Sequence, residues 1–308
     1  MAILYKYFGN RIIEDIDNFE DFILNPTLKL TPPQNLNDPF ESFVAKDIQR
    51  HLKKNLNKKG SRLSRSLSEI TYEGNFERGI KFSGIVSLTE TSRNKLMWAH
   101  YATEHKGFVI GFDTSYIEAS LIKYISNFNK RQLLTTKPIK VNYNSIRFDL
   151  INEAPTVDVN RDMLKLMLTT KSDDWIYEKE HRFIIPVELC DIIKPVKTSY
   201  FLEDIADDMG FEKICKGINK GGYRINKDFQ WALDSNLEQM IDDVDFYKEI
   251  PTESIHSIHL GARVPSKTRG HIASFLFRKR LSNRVKLYRY EPNENYFELD
   301  AKEIHLRY

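Results

Sequence analysis

The residues best suited to chemistry are two glutamates in the stretch WIYEKEHRF, where Glu178 and Glu180 flank Lys179 ahead of an apolar run. At strand periodicity, residues two apart point to one face, so both carboxylates are expected to enter one cavity. Two like charges at close range push one pKa up, leaving one ionised group and one that can hold a proton. That pairing suits acid–base and charge-stabilising catalysis. The other reading is an exposed strand end, where Glu178, Lys179, Glu180 and Arg182 form surface ion pairs worth about 0–1 kcal/mol. The residues alone leave both open.

A second grouping is NKLMWAHYATEHKGFVIGFD, an aromatic helix over about 92–104 running through a charged turn into a strand. Thr91 or Ser92 is the expected cap. Trp98 and Tyr101 lie three apart on one helix face, either as core packing or as a wall holding a flat, polar ligand. Lys95, His100 and Glu104 interrupt the apolar pattern, so the helix is expected to be partly open. Leu96 and Met97 are expected to point inward, with one aromatic edge toward a ligand. A third grouping is LNDPFE, where Asn37, Asp38 and Pro39 read as a turn or as a polar loop beside a site.

Other chemistries lack support. His100 and His105 have no neighbouring Cys and no G-x-S-x-G elbow. His256 and His259, three apart in a strand pattern, fall on opposite faces. Cys190 and Cys215 form no C-x-x-C, so no metal centre is expected. No G-x-G-x-x-G or G-x-x-x-x-G-K-[ST] occurs. A divalent-metal nuclease built from Asp38, Glu41, Asp113, Glu178 and Glu180 remains an alternative, although Glu178-Lys179-Glu180 reverses the usual E-x-K order.

The elements that must hold these groups are short strands (LYKYF, GIVSLTE, FVIGFD, HRFIIP, SIHLGA) mixed with amphipathic helices. Without a regular βαβ repeat, this favours an α+β fold. At 308 residues, 41% hydrophobic and 29% charged, the chain fits one domain, 1–308. Two charged insertions are expected within it, a basic helical one at about 46–79 and an acidic helical one at about 200–249. Net charge is only +3, but Lys46–Ser66 carries eight Lys/Arg, including Lys53, Lys54, Lys58 and Lys59, against one acid. Arg263–Arg289 carries nine, including Arg278, Lys279 and Arg280, and no acid. Such blocks are solvated faces or grips for nucleic acid. Residues 200–249 reverse the balance, with twelve acids against six bases. No signal-peptide pattern and no run of 18 apolar residues occurs, so a cytoplasmic protein without a membrane partner is expected.

Taken together, LYKYF, LNDPFE, GIVSLTE, LMWAHYATEHKGFVIGFD, WIYEKEHRF and IHSIHLGA resemble a bacterial domain-of-unknown-function family. That family is similar to some abortive-infection proteins of phage defence, and the blocks run in its order from about residue 4 to 262. More distantly, LYKY, SLT and EKE are similar in order to the NAD-dependent ADP-ribosyltransferase plan. The resemblance implies an ADP-ribosyltransferase-like split mixed or antiparallel sheet with helical insertions, and NAD as substrate. Lys6 or Tyr7 stands where that superfamily has Arg or His, a departure at the cofactor contact. Ser87 and Thr89 would support the cofactor, Glu180 would drive catalysis and Glu178 would be its companion. Asn37, Trp98 and Tyr101 would complete the cofactor site, with Lys6 at the diphosphate and the aromatics on nicotinamide or adenine. The function so implied is a toxin or phage-defence effector with an antitoxin or chaperone as partner; the basic segments favour nucleic acid as the acceptor, RNA before DNA, with protein second. A metal-dependent nuclease effector and a non-catalytic nucleotide-binding or sensor protein are the alternatives.

Overall fold

A computed structural model describes residues 2–42, 77–125, 133–146, 159–197 and 200–305. The basic segment 46–79, with Lys53, Lys54, Lys58 and Lys59, lies outside the described residues apart from 77–79. The fold is mixed α+β around an eight-stranded sheet. Its order is β15 (Leu299–Glu303), β14 (Lys286–Pro292), β13 (Ile255–Leu260), β4 (Phe108–Asp113), β1 (Ile3–Phe8), β3 (Ser83–Thr89), β8 (Glu180–Pro186) and β5 (Ile139–Lys140). All neighbouring pairs are antiparallel except β13 with β14.

Alternation divides this sheet into two faces. Leu4, Phe108, Ile110, Phe112, Ile258 and Leu260 enter one core with Phe19, Phe22 and Ile23 of the helix Ile16–Leu24. Ile272, Phe275 and Leu276 of the helix Ser266–Arg278 join the same core. On the opposite face Tyr7, Val109 and Tyr290 pack against Met97 and Trp98 of the short helix Lys95–Tyr101.

The strand pairing loosens in one place. β1 pairs with β4 along its whole length, from Ile3↔Asp113 to Phe8↔Phe108. Its other neighbour, β3, is held in register only at Tyr5↔Thr89. The far half of β3 bridges instead to Thr31 through Ile85, with reciprocal backbone hydrogen bonds of 3.1 and 2.8 Å. Thr31 follows β2 (Thr27–Leu30), the edge of a five-stranded sheet completed by β12 (Val244–Glu249), β9 (Ile192–Pro195), β11 (Tyr223–Arg224) and β10 (Glu212–Lys213). Gly84 lets β2 and β3 meet: a Cβ there would lie 2.6 Å from the Leu30 Cβ and 2.6 Å from the Ile185 carbonyl oxygen. A cleft therefore opens between β1 and β3.

The acidic segment differs from its expected all-helical character. Residues 200–249 hold the helices Tyr200–Asp208 and Gln230–Met240, but also β10, β11 and β12. Their Leu233, Leu237 and Phe246 belong to the same core as the main sheet. The acids are spaced so that the intervening positions face inward, as along β12, where buried and half-buried residues alternate. Among the described residues, no helix is long and apolar enough to cross a membrane.

Candidate active site

The cleft has a volume of about 260 Å³. Its lining includes Lys6, Tyr7, Asn37, Ser87, Thr89, Tyr101, Glu178 and Glu180, which sequence reasoning had grouped. It also includes Glu41, Lys171 and Arg182, to which sequence reasoning assigned no place in a cofactor site.

The two glutamates converge, but not by strand alternation. Glu178 ends the 3-10 turn Asp173–Glu178, Lys179 takes a left-handed conformation (φ 46°) and Glu180 begins β8. Thr89 Oγ1 donates to the Glu178 carbonyl at 2.6 Å, and the Glu90 N–H donates to the Lys179 carbonyl at 3.2 Å. These bonds hold a conformation that costs a non-glycine residue roughly 1–2 kcal/mol. The Glu180 N–H donates to Tyr143 Oη at 2.7 Å. Tyr143 and Lys171 are register partners in the two-stranded sheet of β6 (Asn142–Tyr143) and β7 (Thr170–Lys171).

Lys171 is the hub. Its Nζ lies 2.7 Å from Glu178 Oε2 and 3.5 Å from both Glu180 Oε2 and Glu41 Oε1. Arg182, 1% exposed, clasps Glu180 with two bonds of 2.8 and 2.9 Å. It also donates to the Leu168 carbonyl at 2.8 Å and pairs with Glu41. These ion pairs are buried, unlike the exposed pairs that were the alternative reading of this stretch. Glu41 arrives through the turn at LNDPFE, where Asp38 Oδ1 accepts from the Phe40 N–H at 2.9 Å. The turn reading thus holds for Asp38, while Glu41 points inward and is buried.

The charges fix which carboxyl is perturbed in which direction. Burial would raise Glu180, but the Arg182 charge and hydrogen bonds, then Lys171, hold it down at about 2. Glu41 is raised by burial, with Arg182 and Lys171 only partly offsetting that. The like-charge pair expected to split its protonation was Glu178 and Glu180; the group pushed upward is Glu41. Three carboxylates face two cations, and the third is the one disfavoured as a charge.

On the opposite wall Lys6 Nζ donates to the Ser87 carbonyl at 3.1 Å, across the gap where β1 and β3 part. Desolvation lowers its pKa to about 8, with Glu180 acting against this and Lys29 reinforcing it. Lys29 lines the cleft and pairs with Asp245 at 2.8 Å. Tyr101 Oη donates to Glu178 Oε1, and Asn37 Nδ2 donates to Tyr101 Oη at 3.4 Å. Tyr7 also lines the cleft, and its hydroxyl donates to the Thr91 carbonyl at 3.1 Å.

Trp98 is a correction. Its side chain is 0% exposed, its Nε1 donates to the Ser92 carbonyl at 2.8 Å, and Tyr7 and Tyr290 pack edge-on to it at 5.3 and 5.2 Å. It has no face for a ligand. Met97 is buried as expected, packed with Tyr7 and Trp98 while also lining the cleft, whereas Leu96, expected inward, is 50% exposed. The helix is shorter than the expected 92–104, running Lys95–Tyr101 with Asn94 as its cap. Arg278 ends the helix packed on the other sheet face and Lys279 and Arg280 follow it, and Arg278 pairs with Glu20 at 3.1 Å. They do not border the cleft.

Lys171 and Arg182 carried no local motif. Arg182 was detectable as the next same-face position after Glu180 in β8, whereas Lys171 depends on β6 and β7 meeting. Residues 97–183 match a family described as a protein of unknown function, DUF2971. No curated protein and no solved structure matches the chain. The matched stretch carries Met97, Tyr101, Lys171, Glu178, Glu180 and Arg182, and the other wall of the cleft comes from residues before it.

Proposed function

We propose that the cleft binds NAD and cleaves its nicotinamide–ribose bond, passing ADP-ribose to a nucleic-acid acceptor. The carrying observation is the polarity of the cleft. A wall with three carboxylates against two cations faces Lys6 across a gap in the sheet. Cleavage of that bond develops positive charge at the sugar, as in glycoside hydrolysis. Glu180, held ionised to about pH 2, supplies a fixed negative charge for it. Lys6, with Lys29 also lining the cleft, would meet the diphosphate. The volume of about 260 Å³ suits one half of a dinucleotide, so the nicotinamide riboside end enters and the adenosine end lies toward solvent.

The step balances without an external redox agent. Nicotinamide leaves with the electron pair of the broken C–N bond, and an acceptor oxygen or nitrogen forms the new bond to the same carbon. The acceptor proton passes to Glu178, whose Oε1 already accepts from Tyr101. The split sheet supports an ADP-ribosyltransferase-like plan, and the resemblance to abortive-infection proteins supports a defence or toxin setting. The metal-nuclease alternative is less favoured, because Lys171 Nζ stands among Glu41, Glu178 and Glu180 where a divalent cation would sit. Among the described residues, no group of three His, Cys, Asp or Glu could hold a metal ion.

The test is incubation of the full chain with NAD labelled in its adenylate half, together with separate RNA, DNA and protein pools. Free nicotinamide and label in the RNA or DNA pool are expected. Glu180→Gln should lower both by about 10²–10³-fold. Glu41→Gln strips a carboxylate from the same buried Arg182, with a comparable loss of stability, and should retain cleavage. Equal activity in the wild type and Glu180→Gln, or no nicotinamide release by the wild type, overturns the reading.

A further inference from the structure

The helix that lines the cleft also borders a further cavity, of about 610 Å³, at its other end. Lys95 begins this helix and faces the further cavity, whereas Met97 and Tyr101 face the cleft. Seven helical residues span about 10 Å, so the two spaces are neighbours.

The outer wall is the β14–β15 hairpin. Tyr296 and Phe297 at its tip are 71% and 93% exposed, more than any other exposed large hydrophobic among the described residues. Adjacent exposed aromatics of this kind mark a binding surface. The loop beneath them is ordered: Asn293 Oδ1 accepts from the Asn295 and Tyr296 N–H groups at 2.8 and 2.9 Å, and Asn293 Nδ2 donates to Asp300 at 3.0 Å. Lys95 Nζ donates to the Phe297 carbonyl, tying the hairpin to the helix. The rings are thus presented in a fixed frame.

The charges narrow the occupant. Lys95 and Arg263 line the cavity, and Arg263 opens the block 263–289 with its nine Lys/Arg and no acid. Glu294 and Glu298 also line it. Two rings beside two cations match a base and its phosphate, and carboxylates accept from the exocyclic amino groups of bases.

We propose that this pocket binds one nucleotide of a single-stranded nucleic acid, with its base on Tyr296 and Phe297 and its phosphate against Lys95 and Arg263. A strand held there passes its neighbouring nucleotide toward Tyr101 and Glu178. Its role as the acceptor track rests on the NAD reading of the cleft; the binding does not.

The experiment is fluorescence anisotropy with the full chain and a labelled single-stranded RNA, with a DNA strand of the same sequence in parallel and no NAD present. Replacing both Tyr296 and Phe297 by Ala is expected to weaken binding about tenfold or more, the scale of a lost stacked base. Arg263→Ala should lower the dependence of log affinity on log salt by about one. These residues are exposed, so unchanged melting curves serve as the folding control. Tighter binding of RNA or of DNA supports the pocket and identifies the sugar it prefers. Absence of binding by the wild type overturns the proposal. So does unchanged affinity in the Tyr296/Phe297 variant, including the case in which that variant instead loses a protein partner. Since NAD is absent, failure here leaves the Glu180→Gln comparison standing, and the reverse.

Discussion

Two buried lysines show how a balanced buried charge differs from an unbalanced one beside a cavity. Lys248 Nζ meets Asp191 at 2.9 Å, Tyr124 Oη at 3.0 Å and the Leu189 carbonyl at 2.6 Å. One cation faces one carboxylate, and all three N–H donors are used. Lys171 is as deeply buried but serves three carboxylates at once, beside a cavity. Its neighbourhood remains negative even with Arg182 counted, and Glu41, raised by burial, is only partly held down by Arg182 and Lys171. A satisfied pair closes a core, whereas a surplus of one sign facing a cavity marks a candidate site.

The largest test of this contrast removes a carboxylate from each cluster. Asp191→Asn leaves Lys248 without a carboxylate, and Glu180→Gln breaks the two-bond clasp on Arg182, which keeps only Glu41. Each breaks a buried ion pair and should cost about 3–5 kcal/mol in chemical denaturation. Only Glu180→Gln should also lower nicotinamide release, by about 10²–10³-fold at a temperature where both variants are folded. Equal loss of cleavage in both would erase the distinction. Glu180 also has a pH signature. Its folded pKa, about 2, lies below the ordinary 4.5, so its stabilisation is fully present above pH 4.5 and lost as pH falls toward 2. The wild type should lose about 3 kcal/mol across that window through this group, and Glu180→Gln should lose none of that share.

Trp98→Phe comes next. It empties part of a sealed core and removes the bond to the Ser92 carbonyl, for a stability loss of about 1–3 kcal/mol. The KM for NAD should not move; a rise would restore Trp98 to the binding surface. Tyr101→Phe should do the reverse, changing melting little while slowing nicotinamide release about tenfold, because it strips a hydrogen bond from Glu178. The smallest effect is on Lys6. Its pKa of about 8 means the cation is present below pH 8 and lost as pH rises through it. The KM for NAD should climb a few-fold from pH 7 to 9 in the wild type and stay flat in Lys6→Arg, since arginine remains charged throughout.

Much of the fold class was legible because strand and helix periods are local. LYKYF and FVIGFD read as strands by alternation and β propensity, and they are β1 and β4. The acidic segment misled because polar residues on alternate positions of β12 resemble a solvated helix when counted as composition. Trp98 misled for a related reason: helical spacing defines a face, but not what lies opposite it. Here Tyr7 and Tyr290 close over the ring.

What the chain determined by itself was residue type and order: carboxylates at 178 and 180, hydroxyls at 87 and 89, a lysine at 6, and an Asn-Asp-Pro turn that leads into Glu41. What only the tertiary structure decided was their company. The left-handed Lys179 turned Glu178 and Glu180 onto one cation, the meeting of β6 and β7 supplied that cation, and the parting of β1 from β3 opened the space before them. Each depends on pairing between segments far apart in sequence, where the energy comes from burial and charge complementarity rather than from any local pattern.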